Sequence, residues 1–498
     1  MDQPVVFDPR TGSTYVGYYD ATGRAVIARR ASDGSWTSVA LSDGAGPVIA
    51  LPGKSDIHNS IALGLDSVGN LHICACMHDS DMRYWRSTSP GDLSSVTFRT
   101  ALPGMAGKWK YLVAWGNEAV VTYPTFFAAQ NGTLYLMFRN GQSGAGNGYL
   151  YRYHPDTTSW SNTVASGGPL FEAGGTTGFT DTPDNYCAYP TAIQYHADSY
   201  GGAYHIAWVW RADPTAESNT TVHYAWTRDF VNWYPINRSP ASPSIPVLTF
   251  NHSNTVTLVD PTPQGGLLNE QVQVGFDPHD RVVITYYRLN ELGETKLYTA
   301  RPTGNVNSTY TTWRISDVTA LPNTLTNVAG APDPATYSSS WSGTANLDGA
   351  TPVYNSHSIL DNADGTMACR YSYRKPDGVY ESRRLTFKNT GTSGVSFRVS
   401  DAVDLQADVP PAMLVRDSAT ARYPLAVRTS RSASFVVPPS GAWAGATPGH
   451  RVHWVLRWES GPYSAANQWS SNYPATGTEL RLYLVGETSG ASAGAPLS

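Results

Sequence analysis

The chain is poor in charge. Asp, Glu, Lys and Arg make up 15% of its 498 residues, with 34 basic side chains against 39 acidic ones and a formal net charge of −5. That balance offers no electrostatic footprint for nucleic acid or for an anionic membrane, and neither is expected as a partner. No apolar run reaches the length of a membrane span, and no stretch keeps a helical periodicity. Cysteine is scarce too: Cys74, Cys76, Cys187 and Cys369. Cys74 and Cys76 stand at strand spacing, where both thiols point one way and a bridge between them would be strained, so they read as buried structural residues. A single disulfide from Cys187 to Cys369 or to another cysteine stays open. No leader pattern precedes the chain, and Met1-Asp2-Gln3-Pro4 reads as a start codon on the mature N-terminus of a secreted protein. Sequons at Asn131, Asn219, Asn237, Asn251 and Asn307 lean the same way.

What the chain has in quantity is aromatic and turn-forming residues: Trp 15, Tyr 30, Phe 13, Gly 45 and Pro 34. With the β-branched residues they favour strands over helices. One phrase recurs, a Gly- or Asp-bearing turn followed by a strand rich in Tyr, Trp, Val and Ile. It stands at Gly12 (STYVGYYD), Gly69 (NLHICACMH), Gly132 (TLYLMFRNG), Gly202 (AYHIAWVWR), Asp280 (RVVITYYR), Gly365 (TMACRYSYR) and, in degenerate form, Ala421 (RYPLAVRTS). A second strand follows most of them, at 25–30, 82–86, 149–153, 222–227, 296–301 and 379–387, and 452–458 with 479–487 completes the last unit. Seven such units predict an all-β fold, a single seven-bladed β-propeller over residues 1–498 with its functional site at one mouth of the central channel. Two tandem β-sandwiches would need a linker near the middle, and none is present.

The stretch Asp56–Arg86 holds His58, His72 and His78. His72 alternates with Ile73 and Cys74 inside a strand pattern and reads as core. His58 and His78 fall outside that strand, where loops carry function. In Val121-Thr122-Tyr123-Pro124 the proline is expected to hold Tyr123 extended. The strand from Leu134 then delivers Arg139 into the Gly-rich stretch 140–148, beside flexible backbone and able to meet an anion. Tyr189-Pro190 and the strand ending at Arg211 repeat the pairing, while Trp208 and Trp210 suit either the faces of sugars or the core.

The phrases DIHNSIALGLDSVGNLHI, MHDSDMRYWRS, VTYPTF, GTLYLMFRNGQSGAGN and YHIAWVWR resemble the BNR-repeat propellers that include the ulvan lyases, and are similar to the secreted L-rhamnose-α-1,4-D-glucuronate lyases. The successive spacings, His58 to His78, His78 to Tyr123 and Tyr123 to Arg139, are 20, 45 and 16 residues, which resembles the family's order of His, His, Tyr, Arg. The family's further tyrosine falls best on Tyr189, with Tyr186 as a rival. The resemblance implies β-elimination at a uronic acid. Arg139 would neutralise the carboxylate with its two-pronged fork. His58 and Tyr123 would share the acid and base roles, with His58 preferred as base, while His78 and Tyr189 position the substrate. Asn59 and Arg211 would bind it. The implied partner is a uronic-acid-containing polysaccharide or oligosaccharide, acted on by a monomer. No cofactor is required for the chemistry, and a structural calcium or zinc stays open with no ligands assigned.

Other readings compete. Sialidase propellers carry the repeat S-x-D-x-G-x-x-W, present here only in damaged form at Ser32–Trp36 and Thr227–Trp233. Arabinan-type glycosidases need three placed carboxylates, and acidic residues are sparse in these loops. An α-L-rhamnosidase on the same propeller or a non-catalytic carbohydrate-binding propeller would also fit, but the His/Tyr/Arg set is confined to the second to fourth units, which favours an enzyme. Between substrates, the lack of a basic cluster for sulfate tilts the expectation to gum-arabic-type side chains over sulfated ulvan.

Overall fold

The computed structural model describes residues 4–48, 59–105, 121–173, 186–236, 249–261, 272–317 and, from 359 to 486, chiefly the strands; 21, 79, 101, 143, 198–200, 213–217, 254, 277–280, 290–294 and 304–311 are outside the description. Among the described residues the protein is all-β. Its helical content there is short 3₁₀ turns such as Leu93–Ser95 and Thr255–Thr257.

Seven antiparallel sheets are present among the described residues. The first pairs Val5–Asp8, Ser13–Tyr19, Ala25–Arg30 and Trp36–Ala40 in chain order, the second Ala62–Leu65, Leu71–Cys74, Tyr84–Ser87 and Val96–Phe98. The third runs through Val121–Ala128, Leu134–Gln142, Ala145–His154 and Ser159–Asn162. The fourth is wider, six strands built on Ala203–Arg211 and Asn219–Thr227. The fifth and sixth return to four strands in chain order, 273–317 and 359–399. In the seventh, the long strand Arg451–Ser460 carries Ala426–Arg431, Phe435–Val436 and Arg481–Gly486. The repeated turn-and-strand phrase therefore does mark successive hairpins.

The turns form for local reasons. At Asp66–Asn70 the Asp66 carboxylate accepts the backbone N–H of Val68 at 3.1 Å and of Asn70 at 2.8 Å, while Gly69 takes φ +97°. A short acceptor followed by a residue free to enter the left-handed region closes the hairpin. Asp229 caps the turn after Asn219–Thr227 in the same way, accepting from Val231 and Asn232.

The chain divides into two compact units. Unit 1 comprises Met1–Gly141, Leu150–Asn162 and Gln406–Ser498; unit 2 comprises Gln142–Tyr149 and Thr163–Leu405. In unit 1 the first two sheets bury Tyr15, Ile27, Leu63, Leu71, Ile73 and Trp85 between them. The first sheet also packs on the seventh through Val5, Val16, Val452, Trp454, Leu456 and Leu484, so sheets from the two ends of the sequence share a core. In unit 2, Trp208, Trp210, Trp233 and Tyr224 are fully buried. Trp208 and Trp210 thus belong to the core and are not exposed faces for sugars.

Two expectations need correction. The Gly-rich stretch after Arg139 is not a flexible loop: the strand continues to Gln142 and turns straight into Ala145–His154. The sequon at Asn219 is closed to a glycan, because that side chain is 1% exposed and its Oδ1 accepts from Arg211 Nε at 2.9 Å.

Candidate active site

In unit 1 a single β-bridge assembles the site. The backbone N–H of Val121 donates to Ser80 O at 2.8 Å, in an antiparallel bridge between these two residues. Two steps outward on either strand lie His78 and Tyr123, which the antiparallel register sets opposite each other. Their ring centroids are 6.4 Å apart with planes inclined at 48°. Both side chains are half-buried.

On its other side the Tyr123 strand pairs with Leu134–Gln142, and there the register breaks. Met137 lies opposite Thr125 but Arg139 opposite Thr122, so Tyr123 and Pro124 together face Phe138. This is a β-bulge, and Tyr123 pays for it with φ +56°. The expected extended conformation before proline is therefore wrong. The bulge overrides the local preference and re-aims the side chain, as bulges beside active sites do. Arg139 then lies with its guanidinium carbon 5.0 Å from the centre of the Tyr123 ring, while its Nε donates to Gly141 O at 3.1 Å. Arg139 is 6% exposed. Beside it Asn140 is fully buried, with neither amide atom hydrogen-bonded among the described residues.

His78, Tyr123 and Arg139 are thus brought together as one group. His58 lies outside the described residues. Asn59 is half-buried, just before the strand Ala62–Leu65. His72 is fully buried, as expected, and is tied into a polar core: its Nε2 lies 3.2 Å from Asp66 Oδ2 and its Nδ1 lies 2.7 Å from the Tyr84 hydroxyl. A neutral ring donating to Asp66 and accepting from Tyr84 satisfies both. Burial pushes the pKa of His72 down despite the raising effect of Asp66. Hydrogen bonds and the His72 ring hold the Asp66 carboxyl below its usual range against the opposing effect of burial.

Unit 2 holds the other predicted residues. Tyr189 is 2% exposed and its hydroxyl accepts from Arg211 Nη1 at 3.2 Å, with the Arg211 guanidinium 4.5 Å from the ring centre. Asn219 accepts from the Nε of the same arginine. Tyr186 is only half-buried and stacks on His252, with centroids 3.5 Å apart and planes 5° from parallel. Behind that pair His223 is buried, held by Thr257 Oγ1 at 2.9 Å and Thr221 Oγ1 at 3.1 Å, and burial drives its pKa down to about 3. Sequence reasoning missed His252, His223 and the structural role of Asn219. Their partners lie on other strands, and no local pattern announces them.

Among the described residues no group of three or more His, Cys, Asp and Glu is arranged to hold a metal ion. Among the same residues no helix is long and apolar enough to cross a membrane.

Antiparallel sheets that follow one another along the chain, each closed by a short turn, define a β-propeller-like architecture. The chain belongs to the BNR repeat-containing family, whose model matches residues 13–320 and so spans every candidate residue. Its fold is similar to that of an ulvan lyase of a polysaccharide lyase family, solved bound to -[GlcA(1-4)Rha3S]-, at 13% identity and a TM-score of 0.54 over 99% of this chain and 93% of that one. The same lyase solved in a second structure gives the same figures. The polysaccharide lyase Uly1 aligns at 12% identity and a TM-score of 0.49, over 97% and 89% of the two chains. No curated protein sequence matches the chain.

Proposed function

We propose that the protein is a polysaccharide lyase that cleaves the L-rhamnose-α-1,4-D-glucuronate linkage by β-elimination and leaves an unsaturated uronate. The observation that carries this reading is the grouping of His78, Tyr123 and Arg139 in unit 1. The C5 proton of a uronate is hard to remove while the neighbouring carboxylate keeps its charge, because abstraction would place two negative charges together. A cation must neutralise that carboxylate and favour the enolate-like intermediate. Arg139 takes this role. A base removes the C5 proton and an acid protonates the departing oxygen on C4, and these two groups lie cis, on one face of a D-glucuronate ring. A base and an acid acting from the same side of the sugar suit a syn elimination; Tyr123 is one and His58 the other in this reading, with His58 as base. His78 and Tyr189 position the substrate, and Asn59 and Arg211 bind it.

In the same reading, residues 1–498 form one seven-bladed propeller, secreted and monomeric. Seven successive sheets and the shared core of the first and last of them support it. The substrate is a gum-arabic-type side chain. Sulfated ulvan is the second reading, favoured by the fold shared with a lyase bound to a GlcA–Rha3S repeat.

Product analysis on gum arabic and ulvan side by side tests the proposal. An unsaturated uronate marks a lyase, a saturated sugar a hydrolase, and no product a binding protein. Arg139→Ala and His58→Ala should each abolish the unsaturated product while the thermal melt stays near that of the wild type. Full activity in either variant would remove that residue from the mechanism.

A further inference from the structure

The chain reaches His78 through a bend that its own residues do not favour. The strand Leu71–Cys74 ends in the second sheet, and Ser80 is already bridged to Val121 at the start of the third. Ala75, Cys76 and Met77, which begin the crossing, are buried, and Cys76 takes φ +57°. That left-handed conformation is strained for a residue with a Cβ and persists where the surroundings hold it. Among the described residues of unit 1, the non-glycine residues with positive φ are Cys76, Tyr123 and Thr158. The first two of these stand within two residues of the contact between His78 and Tyr123.

What holds the bend comes from the first sheet. The backbone N–H of Cys76 donates to the Tyr19 hydroxyl at 3.0 Å, and Tyr19 closes the strand Ser13–Tyr19. The half-buried Tyr19 ring packs on the core that the first two sheets share, to which Cys76 itself belongs. Burial pushes the pKa of the Cys76 thiol up, so the sulfur stays protonated and serves as packing. That packing keeps a Cβ at a position whose backbone would suit glycine.

We infer that Tyr19 is a positioning residue, whose hydroxyl holds the left-handed bend at Cys76 and through it sets His78 against Tyr123. Tyr19 itself touches no reacting atom. The catalytic consequence rests on the lyase reading, which gives His78 its task, whereas the placement of the His78 ring can be observed without it.

The test uses the full chain with Tyr19→Phe, Cys76→Gly and the double variant Tyr19→Phe/Cys76→Gly. Steady-state lyase kinetics are combined with NMR of ¹³C-histidine-labelled protein, in which the His78 resonance is identified by its loss in His78→Ala. Tyr19→Phe keeps the ring and removes the hydroxyl. Misplacement by an ångström costs on the order of 10²-fold in rate, so kcat/KM should fall by about that factor. Glycine enters the left-handed region without strain, so in the Cys76→Gly background the same change should cost almost nothing. A general loosening of the fold would not vanish there, because glycine loosens the chain further. Wild-type kcat/KM in Tyr19→Phe, or an equal loss in both backgrounds, overturns the role of Tyr19. If the wild type makes no unsaturated product, the lyase reading falls and the resonance decides alone. The Tyr123 ring should set the His78 shift, so Tyr123→Leu moves that resonance, and Tyr19→Phe should move it with Tyr123 still in place. A His78 resonance unmoved in Tyr19→Phe ends the positioning role.

Discussion

The guanidinium carbon of Arg139 lies 5.0 Å from the centre of the Tyr123 ring, and that ring faces His78 at 6.4 Å. The cation therefore sits against the same phenol that the proposed chemistry uses. Its position depends on the bulge, since Arg139 would be in a different register if Tyr123 and Pro124 did not together face Phe138.

Arg139 and lysine are not equivalent at such a place. A lysine keeps the charge but loses the planar fork that binds both carboxylate oxygens and lies flat on an aromatic ring. Arg139→Lys is expected to reduce kcat for formation of the unsaturated uronate by about 10²-fold or more, the scale of losing one electrostatic stabiliser. The rate of absorbance increase from the unsaturated product measures it, and near-normal turnover in the lysine variant would show that charge alone suffices.

Gly64 tests the packing beneath the site. A Cβ at this position would lie 2.7 Å from Phe126 Cβ and 2.9 Å from Leu134 Cδ1, both on the sheet that carries Tyr123 and Arg139. Neither neighbour has room to move, for both are buried. Gly64→Ala is expected to destabilise unit 1 by about 1–3 kcal/mol, the usual cost of overpacking. Urea denaturation followed by tryptophan fluorescence reads the change, and an unaltered midpoint would mean that the second and third sheets are less closely packed than the geometry requires.

Acid should weaken the fold. Burial depresses the pKa of His223 to about 3 and pushes that of His72 down as well, so both stay neutral when folded. Once unfolded, each takes up a proton near its ordinary 6.5. Below that value the unfolded chain binds more protons than the folded one, and stability falls by up to about 1.4 kcal/mol per pH unit for each such histidine. Asp66 adds to the trend at lower pH: its folded pKa is depressed, so its contribution is present above the unfolded carboxylate value and lost as pH falls through the folded one. The urea midpoint should drop between about pH 7 and about pH 5. A midpoint that rises on acidification would contradict the neutral, buried state of these rings.

Much of this protein was legible in the order of its residues. The turn phrases at Gly12, Gly69, Gly132 and Gly202 each open a strand of the expected kind, because a left-handed glycine and a short polar acceptor close a hairpin using neighbours alone. His72 could be assigned to the core from alternation with Ile73 and Cys74, since period-2 burial is a property of the strand itself. The composition likewise pointed to sheets without helices.

Tertiary structure decided what depends on partners far along the chain. Proline suggested an extended Tyr123, but pairing with the Arg139 strand inserts a bulge and drives that residue into the left-handed region. The sequon at Asn219 looked like a glycan site until Arg211 claimed its amide. His252 stood in no motif at all, and only the packing of unit 2 lays it on Tyr186. His78 and Tyr123 illustrate both sides: the sequence alone named them as candidates, while the Ser80–Val121 bridge, a backbone hydrogen bond that no local pattern encodes, made them neighbours.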